Sequence, residues 1–268
     1  MQACDVAKGP IAVSGTLAPM ASAETIRTAL TSVARLREAA AADPSLLVAL
    51  AGLKLFQARR FAATYPDLAA DPVQGPATAF FLDELYGGRD YPERDGQFAR
   101  VARRLEQTFP ADVVDTAVEV AHLHALSETL DHAMAQAWRE AAGTATARPM
   151  DAGAYVAAWR RVGRRADRQW QLQAVLGLGQ TLSRLTRKKA LGWMLRMMHA
   201  PARAAGLGDL QRFLSLGFDT FGGMAAQAGS AGRFLEVIAE REGAWIAALF
   251  DDAPAQVAGR LDRLLATA

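Results

Sequence analysis

The feature that most constrains this chain is an apolar stripe over residues 111–141. Val113, Val120, Leu123, Leu126, Leu130, Met134 and Trp138 fall on one broad side of a helix that turns about 100° per residue. One long helix is expected there. Strand-like alternation is essentially absent, and no β-rich run is bounded by hairpin turns. No repeat recurs at a fixed period. The expected fold is therefore all-α, a bundle of about nine or ten helices.

Prolines divide the rest. Ile26, Leu30, Val33 and Leu36 predict an amphipathic helix over 22–42, which Asp43-Pro44 breaks and restarts. The next helix, 44–65, directs Leu46, Leu47, Leu50, Leu53 and Phe56 inward, with Lys54, Arg59 and Arg60 on its solvent side. Residues 66–76 hold three prolines and a glycine and read as a loop. A helix over 92–108 buries Phe98, Val101 and Leu105. After the stripe, helices are expected over 151–165, 167–186, 188–199, 207–224, 229–250 and 254–265. Residues 1–22 read as a flexible lead-in with Met20 as an alternative start. Residues 23–268 read as a single helical domain, or as two lobes divided near 142–150.

The densest aromatic run is FFLDELYGGRDYPERD, residues 80–95. Phe81 and Leu85 share a helix face, Gly87-Gly88 stops that helix, and Pro92 opens the next with Glu93 and Asp95 in its first turn. The run resembles a motif in a family of uncharacterised helical bacterial proteins. In it Phe-Phe, Leu-Tyr-Gly and two Arg-Asp pairs recur in order, here Phe80-Phe81, Leu85-Tyr86-Gly87, Arg89-Asp90 and Arg94-Asp95. The resemblance is best up to about Trp138, and it implies no activity or site. Burial of Phe80, Phe81, Leu85 and Tyr86 between the N-terminal helices and the long helix is expected. At least one of Arg89, Asp90, Arg94 and Asp95 is expected to brace the turn.

Familiar catalytic and nucleotide-binding motifs are absent, and Gly177-Leu178-Gly179 reads as helix packing. Cys4 is the single cysteine, so no internal disulfide forms; with too few residues ahead of it for an export signal, the cytoplasm is the expected setting. No run approaches the ~18–20 apolar residues of a membrane span. His124, Glu128 and His132 rise along one face of the long helix, opposite its leucines. They are weak candidates for a metal ion; a solvated face is the simpler reading. Glu119 and His122 form one Glu-x-x-His pair where di-iron bundles need two. His199, after Trp193, Met194, Met197 and Met198, is a remote haem candidate. No cofactor is expected.

Charge gives the strongest anomaly. Net charge is only +2, but the 30 basic residues are overwhelmingly arginine. Residues 152–208 carry 11 cations against one acid, Asp167, so that window is +10 and the remainder −8 (2 − 10). Arg160, Arg164 and Arg168 are spaced four apart, as are Arg161 and Arg165. They share a helical side if the helix continues through Gly163. Trp159, Trp170 and Trp193 interleave with them, a combination suited to anion recognition. Acids of the remainder of the chain or of a sister subunit can neutralise them equally well, and the charge balance favours internal pairing. The expected function is a non-catalytic helical protein that binds a partner protein or small anionic ligand through this Arg/Trp-rich half. A nucleic-acid-associated protein is one alternative, although no reader motif supports it. A metal- or haem-dependent bundle enzyme is another.

Overall fold

Proline sets where the helices begin. The computed structural model describes residues 22–85, 92–142 and 149–267. Pro44, Pro66, Pro92 and Pro254 each stand at the first position of a helix. There the fixed φ suits the helix and the missing N–H is not needed. In chain order the helices are α1 (Ser22–Ala41), α2 (Pro44–Thr64), α3 (Pro66–Ala70), α4 (Gly75–Phe80), α5 (Pro92–Thr108), α6 (Ala111–Ala142) and α7 (Ala152–Val162). There follow α8 (Arg165–Leu185), α9 (Lys189–Met197), α10 (His199–Ala204), α11 (Gly208–Ala226), α12 (Ser230–Asp251) and α13 (Pro254–Ala266). A π-helical turn, Phe81–Leu85, extends α4. The described residues thus form 13 α-helices, and none of them is in a strand.

The all-α class is as expected, and the count of nine or ten is too low. Prolines and glycines that read as breaks restart short helices instead. α3 begins at Pro66 and α4 at Gly75, both within the stretch read as a loop, and α10 splits from α9 at Met198. The expected lead-in before Ser22, the turn at 86–91 and residues 143–148 of the expected linker lie outside the described residues.

α6 is the axis. Its 32 residues span about 48 Å, and α1, α2, α5, α7 and α8 all pack on it. One core joins α1, α5 and the first half of α6 around Ile26, Leu30 and Ala121. A second joins α2, the end of α6, α7, α12 and α13 around Leu53, Met134, Trp138, Tyr155 and Leu261. Helices on both sides of 142–150 therefore share a core. A third core gathers Phe61, Phe80, Phe81, Phe221 and Phe234.

Phe80 and Phe81 are buried as expected, among different neighbours. Phe81 meets Phe61, Phe221 and Phe234 with centroids 6.3, 6.4 and 5.8 Å away, so the motif packs mainly on the end of α2 and on α11 and α12. Gly179 supports the packing reading of its segment: a methyl there would lie 2.5 Å from Leu235 Cδ2 on α12.

Candidate functional site

The arginine stripe does not form one face. Asp151 caps α7 by accepting from the Ala154 N–H at 2.7 Å, and the helix ends at Val162. Gly163 has φ 65° and Arg164 φ 58°, so two successive left-handed residues turn the chain before α8 begins. The helix expected through Gly163 is therefore broken, and the fourfold spacing across it loses its meaning.

Each arginine then finds its own partner. Arg160 donates to the carbonyls of Leu249, at 2.9 Å, and Asp252, closing the end of α12. Arg161 pairs with Glu140 at the end of α6. Arg164 reaches Asp167 at 2.5 Å. Arg165 makes a two-pronged contact with Asp251 and lies over the Phe250 ring. Arg168 is buried, its guanidinium 4.1 Å from the centre of the Trp159 ring. It also bonds Gln171 at 3.3 Å.

The tryptophans separate too. Trp159 is buried among Tyr155, Phe250 and Arg168, with no partner for its Nε1. Trp170 is exposed, on a cleft of about 300 Å³ with Asp115, Glu119 and His122, so its surroundings are acidic rather than basic. Trp193 is the most exposed large apolar side chain among the described residues, at 60%.

His124, Glu128 and His132 do not converge on a point. His124 Nε2 meets Asp95 at 2.8 Å, Glu128 takes Lys54 at 3.1 Å, and the buried His132 Nε2 has no hydrogen-bond partner among the described residues. Burial holds the His132 imidazole below its ordinary value, with Arg139 adding to the effect. Among the described residues no group of three or more His, Cys, Asp or Glu is placed to hold a metal ion. The face read as solvated is in fact packed, because α6 is surrounded. Arg60, expected in solvent, is likewise buried and pairs with Glu242 at 2.6 Å, which also accepts from the Tyr65 hydroxyl.

Asp95 and Arg94 act as braces. Burial pushes the Asp95 carboxyl up, but His124 and Arg37, the latter at 2.8 Å, outweigh it and hold it below the usual range. That ties α1, α5 and α6 together. Arg94 reaches back to the buried Glu84 carboxylate at 3.7 Å, across residues 86–91. Tyr86, Arg89, Asp90 and the Leu85 side chain lie outside the described residues. Deeper in, Asp131 accepts from Gln57 at 2.8 Å. Burial pushes its carboxyl up, and the charge of Arg168 is the largest influence drawing it back.

Within residues 152–208, the cations left without an acid among the described residues run from Arg184 at the end of α8 to Arg203 on α10. Lys188 has Asp112, whereas Arg187, Lys189, Arg196 and Arg203 are exposed and hold no acidic partner among the described residues. Gly192 is the one buried residue of α9; a methyl there would lie 2.9 Å from the Phe218 ring of α11, so the glycine permits the close approach. At about 100° per residue, Lys189, Trp193, Arg196 and Met197 occupy one arc of about 100° beside that contact. Met197 is 58% exposed. The junction of α9, α10 and α11 holds a cleft of about 250 Å³, lined by Gly192, Leu195, Arg196, His199, Phe218 and Asp219 among others. Sequence reasoning singled out Trp193 as a binding candidate, counted Lys189 and Arg196 only within the basic 152–208 window, and named Met197 only beside His199. The available signal was a nine-residue helix carrying more apolar residues than one buried face can use.

No curated protein and no solved structure matches the chain. Residues 36–256, from within α1 to within α13, match the family described as Domain of unknown function (DUF8198). That stretch includes the aromatic motif, all of the α7–α8 arginines and the α9–α10 surface, and the chain belongs to this family of helical domains.

Proposed function

We propose that the protein is a non-catalytic binding module whose Arg/Trp-rich C-terminal half takes an anionic partner on the α9–α10 surface. One observation carries the reading. Among the described residues Arg187, Lys189, Arg196 and Arg203 stand exposed without an acid, while the five arginines at the α7–α8 junction are engaged internally. Positive charge that the fold does not use is available to a partner. A single cysteine, Cys4, suits a reducing compartment, and the bacterial cytoplasm is the setting we propose.

The test is a titration of the purified chain with polyglutamate. Binding is expected at low ionic strength and should fall steeply as salt rises, because exposed charges are screened. The Lys189→Glu/Arg196→Glu double variant should lose it and keep its helical circular dichroism. No binding at any salt would refute the proposal. Single-stranded oligonucleotide binding far stronger than polyglutamate binding would promote the nucleic-acid reading instead, through stacking on Trp193.

A further inference from the structure

Resting on that reading, we infer that the occupant is an acidic segment of a partner protein, and that it seats an apolar side chain in the cleft between α9 and α11. Charge alone would leave the apolar part of this surface unexplained. Trp193 and Met197 are 60% and 58% exposed and sit one turn apart, beside Lys189 and Arg196. Two large apolar side chains held in water among cations contribute nothing to a purely ionic contact. They contribute a great deal to a protein interface, where Trp, Met and Arg are enriched at the energetic centre.

The cleft specifies the shape of the occupant. Its volume, about 250 Å³, lies below the usual range for small-molecule pockets, about 300–1,000 Å³. It does suit one leucine- or phenylalanine-sized group. The less exposed part of its lining is Gly192, Leu195, Ser215 and Phe218, apolar but for the serine. The exposed part is Arg196 and His199 from α9 and α10 and Asp219 from α11. Asp219 opposes an acidic ligand locally, so the partner's carboxylates belong on the α9 side, towards Lys189 and Arg196. An acidic amphipathic helix meets both demands, laying its apolar anchor in the groove and its acids along the cationic arc. A nucleic acid would use Trp193 for stacking but find no role for Met197 or for the apolar part of the lining.

The experiment uses the full chain and three probes: a Glu-rich amphipathic peptide carrying leucine anchors, the same peptide with the leucines changed to serine, and phosphatidylglycerol vesicles. The leucine peptide is expected to bind at least tenfold more tightly than the serine peptide. Leu195→Ala in the cleft lining and Trp193→Ala on the exposed arc beside it should each reduce that difference and barely change polyglutamate binding. Equal affinity for the two peptides would overturn the anchor while leaving the anionic reading standing. Binding to vesicles with no preference between the peptides would overturn it in favour of a lipid surface. Failure of polyglutamate and both peptides alike would sink this inference together with the function it rests on.

Discussion

Arg168 offers the sharpest test of how the cationic half is held together. Its neighbours Arg161 and Arg165 form ion pairs in solvent, where water and salt screen them and little stability is gained. Arg168 is 5% exposed and stacked on Trp159. Its charge also faces Asp131, whose carboxyl is already raised by burial. Arg168→Met keeps much of the stem's volume but strands Asp131. Losing a desolvated cation–π contact costs about 2 kcal/mol or more, and a chain of this length loses about 2 °C of Tm per kcal/mol. Thermal unfolding followed by circular dichroism should therefore shift down by at least about 4 °C at neutral pH. The pH dependence has a definite sign. Asp131 titrates higher in the fold than its ordinary 3.8, so its contribution to stability is fully present below that value. It is lost as pH rises through the folded pKa. Deleting Arg168 raises that pKa further, so the deficit against wild type should be largest at neutral pH and shrink towards pH ~4. On an Asp131→Asn background the same substitution should cost at least about 1 kcal/mol less. A cost at Arg168 no greater than at Arg161, or a deficit independent of pH, would refute the argument.

Phe81→Ala removes a ring that meets four other phenylalanines in the third core and should cost about 3–5 kcal/mol; an unchanged urea midpoint would contradict its burial. Arg161→Glu/Arg165→Glu sets acids against Glu140 and Asp251 in solvent. It should lower stability only slightly, with full helicity retained, and outright unfolding would show those pairs to be structural. Asp95→Asn should be destabilising at pH 7. Because the folded Asp95 titrates below its ordinary value, its stabilisation holds above that value and is lost as pH falls through the folded pKa, so urea melts of wild type and variant should converge at low pH.

Much of the fold was legible because two local signals agree along the chain. The 3–4 spacing of apolar residues marks the helices, and Asp43-Pro44, Tyr65-Pro66 and Phe109-Pro110 mark their limits. What local signals cannot show is which faces a helix buries. α6 displays one obvious apolar stripe, yet His132 on its other side is buried as well, since alanines such as Ala121 and Ala135 let neighbours approach from several directions. Charge pairing was illegible for a related reason. Arg161 meets Glu140 21 residues away, Arg165 meets Asp251 86 residues away, and Arg160 meets the Leu249 carbonyl 89 residues away. No window along the chain contains those partners. The break at Gly163 was foreseeable as a weak point, and the left-handed Arg164 that completes it carried no sequence signature.

These pairings argue that cation density along a chain and cation density on its surface are different quantities. The junction of α7 and α8 is the most arginine-rich stretch, and the fold consumes its charge. The ends of α6 and α12 bring Glu140 and Asp251 to it, the carbonyls of Leu249 and Asp252 take Arg160, and Trp159 covers Arg168. The sparser segment after Lys188 is short, lies against α11 through Gly192, and carries no ion pair among the described residues. A cation is free to bind when no acid is packed near it, whatever its neighbours in sequence. The site to test therefore lies at Lys189, Trp193, Arg196 and Met197, one helix beyond the stretch where the charge is greatest.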